Sequence, residues 1–102
     1  MLVMTTASNF EEAKKIAKYL VENHYAACVN IFPITSIYFW ENKLQEDNEC
    51  MLFIKSAREF EEIKNIIKKI HCYELPEIIK IDIEGEEEYI EWIKRFSKWK
   101  YH

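Results

Sequence analysis

The adjacent residues His71 and Cys72 bring together an imidazole and a thiol, two groups that bind copper and zinc in proteins. Neighbouring side chains can reach one site from a loop, whereas on a strand they point to opposite faces. We expect a loop here because Tyr73 and Pro76 follow closely. The pair is therefore a candidate site for Cu²⁺ or another divalent cation. The alternative is a histidine that interacts with the dipole of a helix end.

The three cysteines, Cys28, Cys50 and Cys72, are odd in number and far apart, which favours reduced thiols over a disulfide framework. Cys50 is predicted to pack in the core. Cys28 is a third candidate metal ligand, with a small buried hydrophobic side chain as the alternative. No signature of a nucleophilic cysteine surrounds it, and no glycine-rich phosphate loop occurs, so we expect no enzymatic activity.

A second set of polar and aromatic residues lies at the ends of predicted strands and helices, beside apolar runs. Polar groups in such places pair across an interface or line a pocket. Surface charge without a role would explain any one of them alone. The set predicted to form a ligand pocket or interface is Tyr38, Trp40, Glu49, Lys55, Tyr73, Glu77 and Trp92.

The elements that position these residues begin with a strand at Leu2–Thr6 and an amphipathic helix over 9–23. A capping box of Ser8 and Glu11 is predicted to open that helix.

A long hairpin follows, with strands Ala26–Trp40 and Lys43–Lys55 joined by a tight turn at Glu41-Asn42. Both alternating faces of the first strand carry apolar groups, which is typical of strands buried on two sides. Pro33 cannot donate to a strand ladder, so we expect a bulge or an edge there.

The second half predicts a helix over 60–70, opened by a capping box of Ser56 and Glu59. A strand at Glu77–Ile83 follows, and Gly85 separates it from a last amphipathic helix. The order β-α-β-β-α-β with a terminal helix predicts a single α+β domain, 1–102, of the ferredoxin-like kind.

The hairpin is too long for the domain that carries it. Fifteen strand residues span roughly 50 Å, against a diameter of roughly 35 Å for a domain of this length. Its apolar tip would favour aggregation unless another chain covers it. A cyclic homotrimer with each hairpin lying across its neighbour would cover the tip. The alternative is that Pro33 bends the strand and the tip folds back.

Charge and hydropathy exclude two classes of partner. The net charge of −4, from 14 basic and 18 acidic residues, leaves no basic stripe for a nucleic acid. No apolar run approaches the ~20 residues that cross a membrane. The N-terminus is too short and polar for a signal peptide, so we expect a cytoplasmic protein.

Five short motifs occur in order along almost the whole chain and together resemble the CutA family of divalent-cation tolerance proteins. The resemblance implies a ferredoxin-like trimer with extended intersubunit sheets and a link to tolerance of copper and other divalent metals. The motifs are Ala26–Ile31 followed by Pro33, Ser36–Trp40, Glu49 with Leu52–Lys55, His71–Ile78, and Gly85 with Tyr89–Ile93.

Three positions depart from the family pattern. Asn42 stands in the hairpin turn where the family usually has Gly, and Cys72 stands where it has Pro. Some members with proposed copper sites carry Cys where this chain has Thr5. Of that proposed site only His71 carries over, and Cys72 as a substitute ligand is our hypothesis.

Two other functions stay open. A PII-like sensor trimer would bind a small molecule in the clefts between subunits, with Glu49, Lys55, Tyr73 and Glu77 lining the cleft. No long flexible loop or glycine-rich phosphate site in the sequence supports it. A purely structural or anchoring trimer is the third hypothesis.

Overall fold

The computed structural model describes residues 1–98. Its order of elements confirms the predicted β-α-β-β-α-β arrangement with a terminal helix. The predicted domain, 1–102, includes residues 99–102, which lie outside the described part. The elements are β1 (Leu2–Ala7), α1 (Phe10–Glu22), β2 (Cys28–Trp40), β3 (Lys43–Lys55), α2 (Phe60–Ile70), β4 (Ile79–Ile81) and α3 (Glu87–Ile93), followed by a π-helical turn at Lys94–Lys98.

The four strands form one antiparallel sheet in the order β2-β3-β1-β4, which is the ferredoxin-like order. Alternate residues of β1 and β3, such as Val3 and Leu52, are fully buried on one face. They pack in one core with the apolar stripes of α1 and α2, including Leu20 and Ile63. The predicted fold class is therefore confirmed.

The hairpin keeps one unbroken register from the pair Cys28–Lys55 to the pair Trp40–Lys43. Its two turn residues have positive φ, 50° at Glu41 and 64° at Asn42, as a type I′ turn requires. Pro33 sits opposite Cys50 without a bulge. It is tolerated because β2 is an edge strand, whose outer side needs no donor.

The hairpin projects from the domain, as predicted. The molecule measures 47 × 25 × 22 Å, and the tip does not fold back. Ile37, Phe39 and Leu44 are 65%, 73% and 66% exposed. The strand expected to be buried on both faces is therefore uncovered within a single chain.

Two predicted helix caps are wrong. Asn9, not Ser8, caps α1 and accepts the N–H of Glu12 at 2.9 Å. At α2 the cap residue Glu59 makes no side-chain capping hydrogen bond. The hydroxyl of Ser56 accepts the N–H of Arg58 at 3.0 Å, not that of Glu59, and donates to the Tyr25 carbonyl at 2.6 Å.

The strand predicted at Glu77–Ile83 is shorter than expected. Only Ile79–Ile81 pairs, and its partners are residues 2–4 of β1. Ile79 and Ile81 are about half exposed, so little burial holds the flanking residues in the ladder. Within residues 1–98 no helix is long and apolar enough to span a membrane.

Candidate functional site

The loop after α2 is built around His71, which is the C-cap residue of that helix. Its Nδ1 accepts the backbone N–H of Tyr73 at 3.0 Å. Its Nε2 lies 2.6 Å from the carbonyl oxygen of Thr6 in β1. Since Nδ1 accepts and a carbonyl can only accept, the ring is neutral and its proton is on Nε2. Both ring nitrogens are therefore engaged within the chain.

Tyr73 extends this network to β3. Its hydroxyl donates to Oε2 of Glu49 at 2.6 Å, and its ring centroid lies 4.7 Å from that of His71. Desolvation, and then the hydrogen bond to Glu49, raise the pKa of Tyr73 well above its usual value near 10. The hydroxyl consequently stays a donor at neutral pH.

A cavity of about 620 Å³ lies between this loop and the outer half of the hairpin. We name it the acidic pocket, because its lining within residues 1–98 has four carboxylates and no basic side chain. One carboxylate, Asp47, accepts a hydrogen bond from Tyr38, which raises the pKa of that tyrosine. The lining residues are Thr6, Ser36, Ile37, Tyr38, Trp40, Asp47, Glu49, Tyr73, Glu74, Leu75 and Glu77.

The seven residues predicted to form a pocket or interface fall into two groups. Five of them line the acidic pocket: Tyr38, Trp40, Glu49, Tyr73 and Glu77.

The other two predicted pocket residues, Lys55 and Trp92, meet through Tyr89. The ammonium group of Lys55 donates to the Tyr89 hydroxyl at 3.1 Å, and Tyr89 stacks on Trp92 with ring centroids 5.5 Å apart. Tyr89 was not predicted as a site residue, although it lies three residues before Trp92 on the same helical face.

Six pocket residues were also missed: Thr6, Ser36, Ile37, Asp47, Glu74 and Leu75. The signal for Asp47 was present in the hairpin. The two-residue turn pairs Tyr38 with Gln45, which puts Asp47 on the same face at the diagonal position. Thr6 and Glu74 depend on how the loop after α2 packs, and local patterns carry no such information.

The predicted metal ligands are not gathered at one point. Cys72 is exposed beside His71, while Cys28 pairs with Lys55 at the base of the hairpin and contacts Asn30. Over the described residues, no three side chains of His, Cys, Asp or Glu are grouped so that they could hold a metal ion. A metal at His71, Cys72 and Cys28 therefore stays a prediction.

Comparison with known proteins gives a consistent assignment. The sequence profile of the family described as CutA1 divalent ion tolerance protein matches residues 1–96. The divalent-cation tolerance protein CutA of Thermus thermophilus is 43% identical over 96 residues, which are 91% of this chain and 93% of that protein.

Solved structures agree with the sequence comparison. The CutA of Archaeoglobus fulgidus, described as a periplasmic divalent cation tolerance protein, superposes with a TM-score of 0.90 at 39% identity, covering 94% of this chain and 96% of the other. A protein of Nostoc described as PII-like protein CutA gives 0.88 at 34% identity, covering 94% and 95%. With a family profile that spans nearly its whole length and relatives this similar in sequence and structure, the chain belongs to the CutA family of divalent-cation tolerance proteins.

Proposed function

We propose that this protein acts in divalent-cation tolerance by binding such cations weakly in the acidic pocket, as a homotrimer. The observation that carries the proposal is the charge of that pocket, where Asp47, Glu49, Glu74 and Glu77 face no basic side chain from the described lining. Carboxylate oxygens suit hard divalent cations. The name of the Thermus relative, a divalent-cation tolerance protein, supports the same role.

Weak binding follows from the geometry. The carboxylates line a wide cavity and do not converge as a ligand cage, so attraction is mainly Coulombic and salt screens it. The partial enclosure by Tyr38, Trp40 and Tyr73 lowers the local dielectric constant and strengthens that attraction relative to an open surface.

We propose Cu²⁺ as one specific cation that the protein binds, at a site separate from the carboxylates. Cu²⁺ prefers imidazole and thiolate ligands over carboxylates, which is why His71 with the adjacent Cys72 is its candidate site, while Cys28, at the base of the hairpin, is a separate candidate ligand. To bind the ion, the ring of His71 must give up one of its two hydrogen bonds, to Thr6 or to Tyr73. We expect this cost to keep copper affinity low.

Titration of Mn²⁺ and Cu²⁺ tests both parts. We expect Glu49→Gln to weaken Mn²⁺ binding several-fold, because it removes a charge while the amide oxygen still accepts from Tyr73. The matched control is Glu22→Gln, which removes one exposed carboxylate from α1. Equal affinities of the Glu49 variant and the wild type would reject the acidic pocket. Equal Cu²⁺ affinities of His71→Ala and the wild type would remove His71 as a copper ligand.

The cellular setting is proposed from the composition. We propose a cytoplasmic, non-catalytic protein. The relatives are named for cation tolerance and not for a reaction. The Archaeoglobus relative is described as periplasmic, so a periplasmic location is the alternative. Fractionation of cells that produce the full chain decides between the two locations.

The similarity to a PII-like CutA of Nostoc supports a second candidate, a sensor that binds a small molecule. The acidic pocket also holds aromatic surface from Trp40 and Tyr38 that could pack against such a ligand. A thermal-shift screen with nucleotides and divalent cations separates the two roles, because a ligand that binds only the folded state raises the melting temperature by an amount that grows logarithmically with its concentration relative to Kd.

A further inference from the structure

We propose that His71 is a positioning residue for the acidic pocket: it sets Tyr73, and through Tyr73 the carboxylate of Glu49, and so controls cation affinity without touching the cation. This inference rests on the proposed function of the pocket. For a cation bound in the acidic pocket, it gives His71, which does not itself line the pocket, a role other than that of a ligand.

The first step is the anchoring of the ring to the sheet. The strand β4 covers β1 only as far as Met4, so beyond that residue this edge of β1 has no strand partner within residues 1–98. Nε2–H of His71 donates to the carbonyl oxygen of Thr6 at 2.6 Å in that uncovered stretch. Thr6 is only 6% exposed, and a buried carbonyl without a hydrogen-bond partner destabilises the folded state. The ring is therefore held where β4 would otherwise continue.

The second step is the contact by which the imidazole ring of His71 positions Tyr73. Nδ1 accepts the backbone N–H of Tyr73 at 3.0 Å, and the two rings pack with their centroids 4.7 Å apart. One contact sets the backbone of Tyr73 and the other sets its ring. A tyrosine without these contacts would sit on a loop that has no ladder hydrogen bonds of its own.

The third step concerns the carboxylate of Glu49. The hydroxyl of Tyr73 donates to Oε2 of Glu49 at 2.6 Å, which leaves the second carboxylate oxygen for another partner. A long carboxylate side chain on an exposed strand face otherwise samples several rotamers. The tyrosine therefore holds Glu49 in one arrangement inside the pocket, as outer hydrogen-bond partners hold metal ligands.

The test uses five variants and Mn²⁺, an ion that prefers oxygen ligands. We expect His71→Ala and Tyr73→Phe each to lower Mn²⁺ affinity by about tenfold, and the double variant to lose no more than either single one. His71→Asn keeps an acceptor for the Tyr73 N–H but loses the contact with Thr6 and the ring packing, so it should restore only part of the affinity. Asn65→Ala, an exposed neutral change on α2, is the control and should bind like the wild type.

A direct ligand would behave differently. Loss of Cu²⁺ affinity in His71→Ala with unchanged Mn²⁺ affinity, together with an inert Tyr73→Phe, would overturn the positioning role.

A second readout needs no bound cation. In the ion-free protein, long-range ¹H–¹⁵N spectra should show the Nε2–H tautomer of His71, and the ¹³C shift of the Glu49 carboxylate should move equally in His71→Ala and Tyr73→Phe. If Glu49 does not respond to His71→Ala, the inference is wrong even where the pocket binds cations. If Glu49 responds but the wild type binds no cation, the proposed function fails and the coupling stands.

Discussion

At the scale of single residues, the acidic pocket depends on tyrosines that stay protonated. Tyr73 and Tyr38 each donate to a carboxylate, and each has a raised pKa. A phenolate in either place would repel its carboxylate and end the hydrogen bond. The pocket should therefore keep its structure through neutral pH and lose it on the alkaline side.

The first prediction follows from the raised pKa of Tyr73. The pKa of Tyr73 is higher in the folded protein than the value near 10 of an unfolded chain, so the folded state binds more protons above pH 10. The stability it contributes is complete below pH 10 and declines as pH rises further. We expect Tyr73→Phe to lose stability less steeply than the wild type between pH 10 and 11.5.

Urea unfolding at several pH values measures this slope. All other titratable groups are the same in both proteins, so the difference between the pH slopes of the wild type and Tyr73→Phe gives the contribution of Tyr73. Glu49→Gln should give an intermediate slope, because desolvation, the larger cause of the shift, remains. Parallel slopes in the wild type and Tyr73→Phe would contradict the prediction.

The sequence was informative about residue types and weak on their partners. Five of the selected residues meet in one pocket because strand ends and loops gather at one side of a ferredoxin-like sheet. A histidine at position 71 suggested a metal ligand, but its imidazole forms a hydrogen bond with Thr6, 65 positions away in the sequence. Such a contact depends on tertiary packing, so no local pattern could predict it.

At the scale of elements, the hairpin was the most predictable part and β4 the least. A two-residue turn at Glu41-Asn42 fixes the whole register of β2 and β3, so one local feature determines thirteen pairs. The strand β4 is instead short because Ile79 and Ile81 are about half exposed, so little burial within the chain favours a longer ladder. The cap of α1 was displaced by one residue because Ser8 and Asn9 are both good caps, and sequence alone does not choose between them.

Arg58 joins three elements, and its removal is the second prediction. Its guanidinium donates to the carbonyl of His24 after α1, to the carbonyl of Ser97 in the π-helical turn, and to the carboxylate of Glu62 in α2, the last at 2.7 Å. It also lies over the ring of Tyr25, 4.9 Å from the centroid. Because the side chain is 11% exposed, we expect Arg58→Ala to destabilise the fold by about 2–4 kcal/mol.

Chemical unfolding measures this loss. Arg58→Lys should recover little, because one ammonium group cannot reach acceptors spread along a planar fork. The matched control is Arg95→Ala, an exposed arginine of the π-helical turn, which should change stability by less than about 0.5 kcal/mol. If Arg58→Ala is as stable as the wild type, water must satisfy all three acceptors in place of the guanidinium, which would contradict the prediction.

At the scale of the whole molecule, two patches of exposed apolar surface among residues 1–98 are candidates for contacts between chains. One is the hairpin tip, where Ile37, Phe39 and Leu44 project from the domain. The other is the sheet face turned away from the helices, where Phe32 and Ile79 remain 38% and 48% exposed. Surfaces of this kind on a small domain mark contacts between proteins.

The last prediction is that hairpin tips hold the homotrimer together. Sedimentation at micromolar concentration should give three chains of 12.4 kDa in one particle. We expect Phe39→Lys to dissociate it, because an ammonium group would be buried without a partner in the interface. Val21→Lys, the same kind of change on α1 where the wild-type side chain is 38% exposed, should leave the trimer intact. A wild-type chain that sediments as a stable monomer would refute the trimer, and a trimeric Phe39→Lys protein would show that the sheet face, not the tip, carries the association.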